Sequence, residues 1–174
     1  MSISTPVHAS AALLLVLAAA TPAGAEIATA SAPPSVVRFE RVDERLYRGG
    51  QPDAAAFRQL HRLGIRTVVN LRRDDGERRV VEALGMRYVD LSTGLTPFGL
   101  GEGIRDEVVR QFFEVVDDEA NGPVFVHCRR GADRTGTLVA MYRIARQDWT
   151  AEAAYDVARS IGMRAMPPSL STQP

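Results

Sequence analysis

The sequence predicts an α/β fold with a central, mostly parallel sheet flanked by helices. Strand-like and helix-like segments alternate along the chain, and such alternation favours parallel strands joined by helical crossovers. Several strand-like segments are short apolar runs, as expected for strands that are covered on both faces. With 174 residues the chain has room for one domain of ordinary size, which we place at residues 36–165.

The first elements follow from local composition. Residues 36–39 and 46–47 are short apolar segments that we predict as strands. Residues 52–64 are predicted to form a helix, since Pro and Asp open the segment, apolar residues share one face and a glycine closes it. The β-branched residues 65–71 have the composition of a buried strand.

The remaining elements continue the alternation. In chain order they are a helix at 77–84, a strand at 86–91, a glycine-rich loop at 92–103, a helix at 104–119, a buried strand at 124–126, a helix after Gly131 and a helix at 150–161. Thr150 has the side chain of an N-cap for the last helix. The predicted sheet is therefore built from short strands separated by helices.

The charge balance argues against some classes of partner. The chain has 21 basic and 21 acidic residues, so its net charge does not favour binding to nucleic acid or to an anionic membrane. All 21 basic residues are arginine. Attraction to an anionic substrate must therefore be local, and arginine forks with backbone N–H groups are the available partners for a phosphate.

The N-terminal segment has the pattern of an export signal. Residues 9–20 form an apolar run that is too short to span a bilayer comfortably, and small residues suited to signal cleavage end at Ala25. We predict a signal peptide at 1–25, a flexible leader at 26–35 and a C-terminal tail at 166–174. The mature protein is then periplasmic or secreted, without stable membrane insertion. An uncleaved membrane anchor and a wrongly assigned start codon are the alternatives.

One segment between a predicted strand and a predicted helix has the residue types of an anion site. Its sequence is His127-Cys128-Arg129-Arg130-Gly131-Ala132-Asp133-Arg134-Thr135-Gly136. In open α/β sheets ligands bind at the carboxyl ends of the strands, where the next helix offers unpaired N–H groups. The residues that we predict to bind a tetrahedral anion here are Arg129, Arg130, Gly131, Ala132, Asp133 and Arg134.

The chemistry predicted for this segment depends on Cys128. The positive field of the helix N-terminus should lower the pKa of its thiol and form a nucleophilic thiolate. Arg134 can hold two phosphate oxygens bidentately, and the Thr135 hydroxyl can donate to the sulfur when the sulfur becomes the leaving group. Gly131 and Gly136 permit close backbone packing.

The segment matches the cysteine-phosphatase signature at every defined position: His-Cys, five residues, Arg, Ser or Thr, and Gly. Residues 39–161 resemble the dual-specificity phosphatase family. Residues 46–52 and 64–72 are similar to opening segments of its atypical plant and fungal members and of their exported bacterial relatives. The resemblance implies a phosphocysteine intermediate on Cys128 that water hydrolyses, with no metal ion and no cofactor.

Other interpretations of Cys128 remain open. The thiol could be buried and inert, or it could transfer sulfur, because rhodanese-like domains also place a cysteine at a helix N-terminus. The loop could also bind phosphorylated partners without turnover, as pseudophosphatases do. In a fourth interpretation the single cysteine is oxidised, which inhibits the protein because no second cysteine can resolve it.

The proton donor for the leaving group has several candidates. Asp133 and Asp106 are equal candidates and Glu102 follows them, whereas Asp90 is predicted to end a strand. Asp106 also has the position of a favourable charge in the first turn of a helix. His127 is predicted to hydrogen-bond the backbone and to tune the thiolate rather than to act as a base. An ordinary histidine at the end of a strand is the alternative.

The substrate prediction rests on Arg129 and Arg130, which follow the nucleophile. They form a positive rim suited to polyanions, either a phosphotyrosine protein or an inositol polyphosphate. Solvated charges without a binding role are the alternative. Some atypical members of the resembled family act on inositol pyrophosphates and exported bacterial relatives act on phosphotyrosine proteins, so the predicted export favours a phosphoprotein.

Overall fold

The computed structural model of the chain describes residues 36–74, 76–92 and 104–164. The predicted signal peptide, leader and C-terminal tail lie outside these residues, and their boundaries with the domain stay predictions. Within the described ranges, no helix is both long and apolar enough to cross a membrane.

The described residues form a five-stranded sheet flanked by helices, which confirms the predicted fold class. The strands are β1 (Glu40–Arg41), β2 (Leu46–Gly49), β3 (Thr67–Asn70), β4 (Arg87–Asp90) and β5 (Val124–His127). The helices are α1 (Ala54–Arg62), α2 (Arg78–Ala83), α3 (Asp106–Asp117), α4 (Asp133–Arg146) and α5 (Ala151–Ser160), with a short 3-10 helix at Glu119–Asn121. The strand order is β1-β2-β5-β3-β4; β1 pairs antiparallel with β2, and the other neighbours pair in parallel.

Side chains of the central strand alternate between two cores, one on each face of the sheet. Val124 and Val126 face the core that α3 and α4 cover, while Phe125 faces the core that α1 and α2 cover. The alternation follows from the two-residue period of a strand, and it explains why the predicted strand is apolar throughout. Each such side chain stabilises the fold by about 1.5–3 kcal/mol when fully buried.

The first predicted strand is wrong. Residues 36–39 do not form a strand, and the edge strand is Glu40–Arg41 instead. Arg38 has a positive φ of 55°, which interrupts an extended segment. Val36 is buried against the core that contains Phe125, so the apolar character of this segment reflects burial rather than strand pairing.

The other predicted strands and helices are confirmed, with small differences at their ends. Two helix starts show side-chain caps, and the cap at Thr150 was predicted. The Asp53 carboxylate accepts from the N–H of Ala56 at 2.8 Å before α1. The Thr150 hydroxyl accepts from the N–H of Ala153 at 3.2 Å before α5. Each cap satisfies one of the N–H groups that a helix N-terminus leaves free.

Candidate active site

The loop between β5 and α4, residues 128–132, begins where the central strand of the sheet ends. His127, the last residue of β5, pairs with Gly49 of β2 and with Asn70 of β3. The segments that follow these three strands therefore meet at one edge of the sheet, where α4 also begins. This arrangement places Cys128 beside the free N–H groups of a helix N-terminus.

Cys128 is a buried residue, with 3% of its surface exposed. Burial by itself raises the pKa of the thiol, but the Thr135 hydroxyl and backbone N–H, the charge of Arg134 and the N–H of Gly131 lower it. The resulting pKa lies below 9.0, the ordinary value for a thiol. The surroundings therefore stabilise a thiolate, which argues against an inert buried thiol.

Thr135 lies in the first turn of α4, and it is completely buried. Its hydroxyl makes no hydrogen bond in the described residues. The group that it does face is the sulfur of Cys128, whose pKa it lowers. A donor in this position stabilises the sulfur whenever the sulfur is negatively charged, as the predicted role of Thr135 requires.

Arg134 is oriented by the segment that follows β3. Its Nη1 donates to the backbone oxygen of Leu71 at 2.5 Å. The structure shows no second hydrogen bond from Arg134 to the described residues. One end of the guanidinium is therefore anchored to the backbone, while Nε and Nη2 remain for the bidentate phosphate contact that the sequence predicts.

A pocket of about 590 Å³ opens over Cys128. Its other lining residues are Arg129, Arg130, Asp133 and Arg134. Three guanidinium groups against one carboxylate make the walls electropositive, although the chain as a whole is neutral. The pocket can therefore attract an anion locally. In the described part of the chain, no three or more His, Cys, Asp or Glu side chains are grouped in a way that could hold a metal ion.

The Asp133 carboxylate is already paired on both oxygens. Oδ2 accepts from Nη2 of Arg130 at 2.8 Å, and Oδ1 accepts from the backbone N–H of Arg164 at 2.8 Å. Burial raises the pKa of Asp133, but these hydrogen bonds and the charges of the two arginines outweigh it, so the pKa lies below the ordinary 3.8. The structure therefore argues against Asp133 as a proton donor; its carboxylate ties the start of α4 to the segment after α5.

The other predicted proton donors have different positions. Asp106 is the exposed first residue of α3 and is not among the residues that line the pocket. Glu102 lies outside the described residues. Asp90 ends β4, where its carboxylate accepts from the N–H of Ser92 at 2.8 Å, which confirms that it terminates a strand. The identity of the proton donor therefore stays a prediction.

His127 contacts a side chain that the sequence did not single out. Its Nε2 lies 2.9 Å from Oε1 of Glu77, and both side chains are buried. The other Glu77 oxygen accepts from Nε2 of Gln51, whose own oxygen accepts from Arg72 at 2.5 Å. The predicted backbone hydrogen bond of His127 is wrong, since neither ring nitrogen has a backbone partner in the described residues. No local pattern marks Glu77 as more than the start of a helix.

The chain is similar in sequence to known phosphatases. Residues 31–167 match the family described as DSP-PTPase phosphatase fused to NAD+ kinase. The chain is 34% identical over 140 residues to dual specificity protein phosphatase TpbA of Pseudomonas aeruginosa, a match that covers 80% of this chain and 61% of TpbA. It is 30% identical over 125 residues to inositol diphosphatase DSP4 of Arabidopsis thaliana, covering 69% of this chain and 61% of DSP4. The match thus spans less than two thirds of either relative.

Solved structures share the fold. The crystal structure of P. aeruginosa TpbA has a TM-score of 0.65 and 31% identity, covering 77% of this chain and 80% of that chain. The core catalytic domain of the PP-IP phosphatase SIW14 from S. cerevisiae, in complex with citrate, has a TM-score of 0.65 and 26% identity, covering 74% of this chain and 80% of that chain. TpbA has also been solved in complex with pTyr.

Proposed function

Because this chain belongs to the DSP-PTPase family of phosphatases, we propose that it hydrolyses phosphate monoesters through a phosphocysteine on Cys128. The observation that carries the proposal is the thiol itself, which has a lowered pKa and lies at an electropositive pocket. A structural cysteine in apolar surroundings has a raised pKa instead.

In the first step the Cys128 sulfur attacks phosphorus, so that a P–S bond forms while the P–O bond to the leaving group breaks. The leaving oxygen takes a proton from a general acid. The loop N–H groups and Arg134 bind the non-bridging phosphate oxygens and stabilise the charge of the transition state. Arg134 is suited to this because Leu71 holds one end of its guanidinium and the other donors are left for phosphate.

In the second step a water molecule attacks phosphorus and loses a proton to the residue that acted as the acid. The P–S bond breaks, and the products are inorganic phosphate and the thiolate. The Thr135 hydroxyl stabilises the sulfur as it regains its negative charge. A low thiol pKa therefore helps both steps, because it makes sulfur a nucleophile at neutral pH and a better leaving group.

For the general acid we retain Asp106 and Glu102, since the Asp133 carboxylate is held by two donors. The test is the pH profile of turnover on a phosphotyrosine peptide for Asp106→Asn and Glu102→Gln. The variant that loses the basic limb of the profile identifies the acid. Retention of the basic limb in both variants would remove both candidates.

We propose a phosphotyrosine protein as substrate, with an inositol polyphosphate as the second candidate. The structure of TpbA in complex with pTyr supports the first. The second is supported by relatives named inositol diphosphatase and PP-IP phosphatase, and by the exposed Arg129 and Arg130 at the pocket. An inositol polyphosphate carries additional phosphates that can reach both arginines, whereas a phosphotyrosine relies on acidic neighbours to do so.

The decisive test compares the wild-type protein with Cys128→Ser in the presence of a chelator. Phosphate release is measured from phosphotyrosine, phosphoserine and phosphothreonine peptides and from inositol hexakisphosphate. We expect release by the wild type alone, and the preferred substrate then decides between the two candidates. A folded wild type that releases no phosphate would refute hydrolysis. Thiocyanate formation from thiosulfate and cyanide would then indicate sulfur transfer, and phosphopeptide binding without turnover would indicate a pseudophosphatase.

We also propose that the protein is exported to the periplasm or secreted. The support is the apolar run at 9–20 and the small residues before Glu26. The mass of the protein recovered from cells tests this. A mature chain that begins at Glu26 supports export with cleavage, and a chain that retains residues 1–25 overturns it.

A further inference from the structure

Arg48 is a buried charge that the proposed mechanism does not use. It lies in β2, where all four residues are buried, and only 1% of its surface is exposed. Burying a guanidinium is unfavourable unless it is well paired. A charged side chain at such a position of an interior strand therefore needs a specific partner.

An ion pair does not account for Arg48. Among the described residues, Arg48 pairs with the carboxylate of Glu40, whose Oε2 lies 3.9 Å from Nε, and Glu40 is one-third exposed. The same carboxylate is bound more closely by Arg143, at 2.5 Å. Within the described residues, Nε and Nη1 of Arg48 have no hydrogen-bond partner. The one hydrogen bond of its guanidinium in these residues runs from Nη2 to the backbone oxygen of Gly131.

This bond belongs to a series on the phosphate-binding loop. The backbone oxygen of Arg129 accepts from the N–H of Gln51 at 3.2 Å. The oxygen of Arg130 accepts from Nη1 of Arg38 at 3.1 Å. The oxygen of Gly131 accepts from Arg48. Three successive carbonyl groups of the loop are thus held by donors from the segment that precedes α1.

The hydrogen bonds to the loop carbonyl groups determine where the loop N–H groups point. In a trans peptide the C=O of one residue and the N–H of the next point in opposite directions. Anchoring the carbonyls of residues 129–131 therefore turns the N–H groups of residues 130–132 to the other side. The N–H of Gly131 accordingly lowers the pKa of Cys128, so it faces the side of the loop where the nucleophile lies.

Backbone packing leaves little room for another arrangement. A Cβ on Gly131 would lie 2.5 Å from the carbonyl carbon of Gly49 and from the nitrogen of Gly50. A Cβ on Gly50 would lie 3.3 Å from the oxygen of Arg129. The segment that carries Arg48 is therefore in direct contact with the back of the loop.

We propose that Arg48 is a positioning residue for the phosphate-binding loop. Its guanidinium holds the Gly131 carbonyl away from the anion, so that the following N–H faces the anion, and its charge favours the thiolate of Cys128. The role rests on the proposed function in one respect, that this loop binds phosphate.

The electrostatic surroundings agree with this role. Burial lowers the pKa of Arg48, and the positive charges of Arg143 and Arg38 lower it further. The negative charges of Glu40 and Cys128 oppose these effects. Because charge interactions are mutual, the cation that the thiolate stabilises also stabilises the thiolate.

The test uses the purified full-length protein with Arg48→Met, Arg48→Lys and a matched control, Arg143→Met. Arg143 is also buried and also binds Glu40, but it makes no hydrogen bond to the loop in the described residues. Three quantities are measured: the Kd for tungstate as a tetrahedral anion, the pH dependence of Cys128 alkylation by iodoacetamide, and Tm. None of them requires turnover.

We expect Arg48→Met to weaken tungstate binding about tenfold or more, as for the loss of one charge-assisted hydrogen bond, and to raise the pKa of Cys128. Arg48→Lys keeps the charge without the fork, so we expect the thiol pKa to recover and tungstate affinity to recover only in part. Arg143→Met should lower Tm and leave both other quantities near the wild-type values.

Two outcomes overturn the proposal: an Arg48→Met protein that matches the wild type in Kd and thiol pKa, or an Arg143→Met protein that shows the same losses. If Arg48→Met does not fold, the proposal is tested with Arg48→Lys and with the surface variant Arg38→Met. Both variants should weaken tungstate binding. A wild type that binds tungstate without hydrolysing any ester refutes the proposed function and not this role. Active Arg48 variants with unchanged Kd refute this role and not the proposed function.

Discussion

Replacing Asp133 by Asn tests whether this residue is a general acid or a structural carboxylate. Asn has nearly the same shape and keeps an oxygen that can accept from the N–H of Arg164, but it has no charge and no acidic proton. If Asp133 protonated the leaving group, its loss would reduce turnover roughly 10²–10⁴-fold. The contacts in the structure predict a much smaller effect.

The expected magnitude follows from the one contact that the variant weakens. Nη2 of Arg130 donates to Oδ2 of Asp133 at 2.8 Å, and the Arg130 side chain is 49% exposed. An ion pair as exposed as this one contributes about 0.2–1 kcal/mol. This free energy corresponds to a change of at most roughly fivefold in a rate or an affinity.

The assay is kcat and kcat/KM against pH for wild type and Asp133→Asn on a phosphotyrosine peptide. Because the pKa of Asp133 is lowered, the carboxylate is ionised throughout the neutral range and cannot produce a basic limb there. We therefore expect Asp133→Asn to retain that limb. A loss of about a hundredfold or more, together with loss of the basic limb, would refute the assignment.

Three further changes test the loop and the residues behind it. Thr135→Val removes the hydroxyl that faces the sulfur, so we expect kcat to fall about tenfold or more as phosphocysteine accumulates. The burst in a rapid-quench experiment measures the accumulated phosphocysteine, and Thr135→Ser should restore kcat. Gly131→Ala places a methyl group 2.5 Å from backbone atoms, at a residue whose φ is 67°. We therefore expect tungstate binding to be lost and the free energy of unfolding to fall by roughly 2 kcal/mol or more. Unchanged tungstate binding would contradict the close packing at Gly131. Glu77→Ala leaves the buried His127 without the carboxylate 2.9 Å away and should reduce the free energy of unfolding in urea by about 1–3 kcal/mol. The control variant Glu82→Ala, at an exposed position of the same helix, should reduce this free energy by less. Equal losses in the two variants would show that Glu77 has no special role.

The sequence was sufficient where structure depends on neighbouring residues. Residues 65–71 and 124–126 are β-branched or apolar, and both contain buried strands of the sheet. Asp53 and Thr150 cap helices because a cap contacts N–H groups only a few residues away. The segment at 36–39 was predicted wrongly because strand pairing depends on a partner strand, and local composition cannot distinguish pairing from burial.

The same distinction separates the two parts of the site. Cys128, Arg134 and Thr135 lie within one loop and the first turn of the helix that follows, so their spacing alone predicts that they share an anion site. The sequence could also predict the lowered thiol pKa, because the groups that lower it lie within this segment.

The contacts that hold this segment in place form only when the chain folds. The backbone N–H of Arg164 donates to the Asp133 carboxylate across 31 positions of sequence. Arg48 reaches Gly131 across 83 positions. Such contacts arise when the sheet brings distant strands side by side, and no periodicity or spacing along the chain records which side chains then meet. The proposed nucleophile and phosphate ligands could therefore be predicted from the sequence, whereas the contacts that hold their loop became visible only in the folded chain.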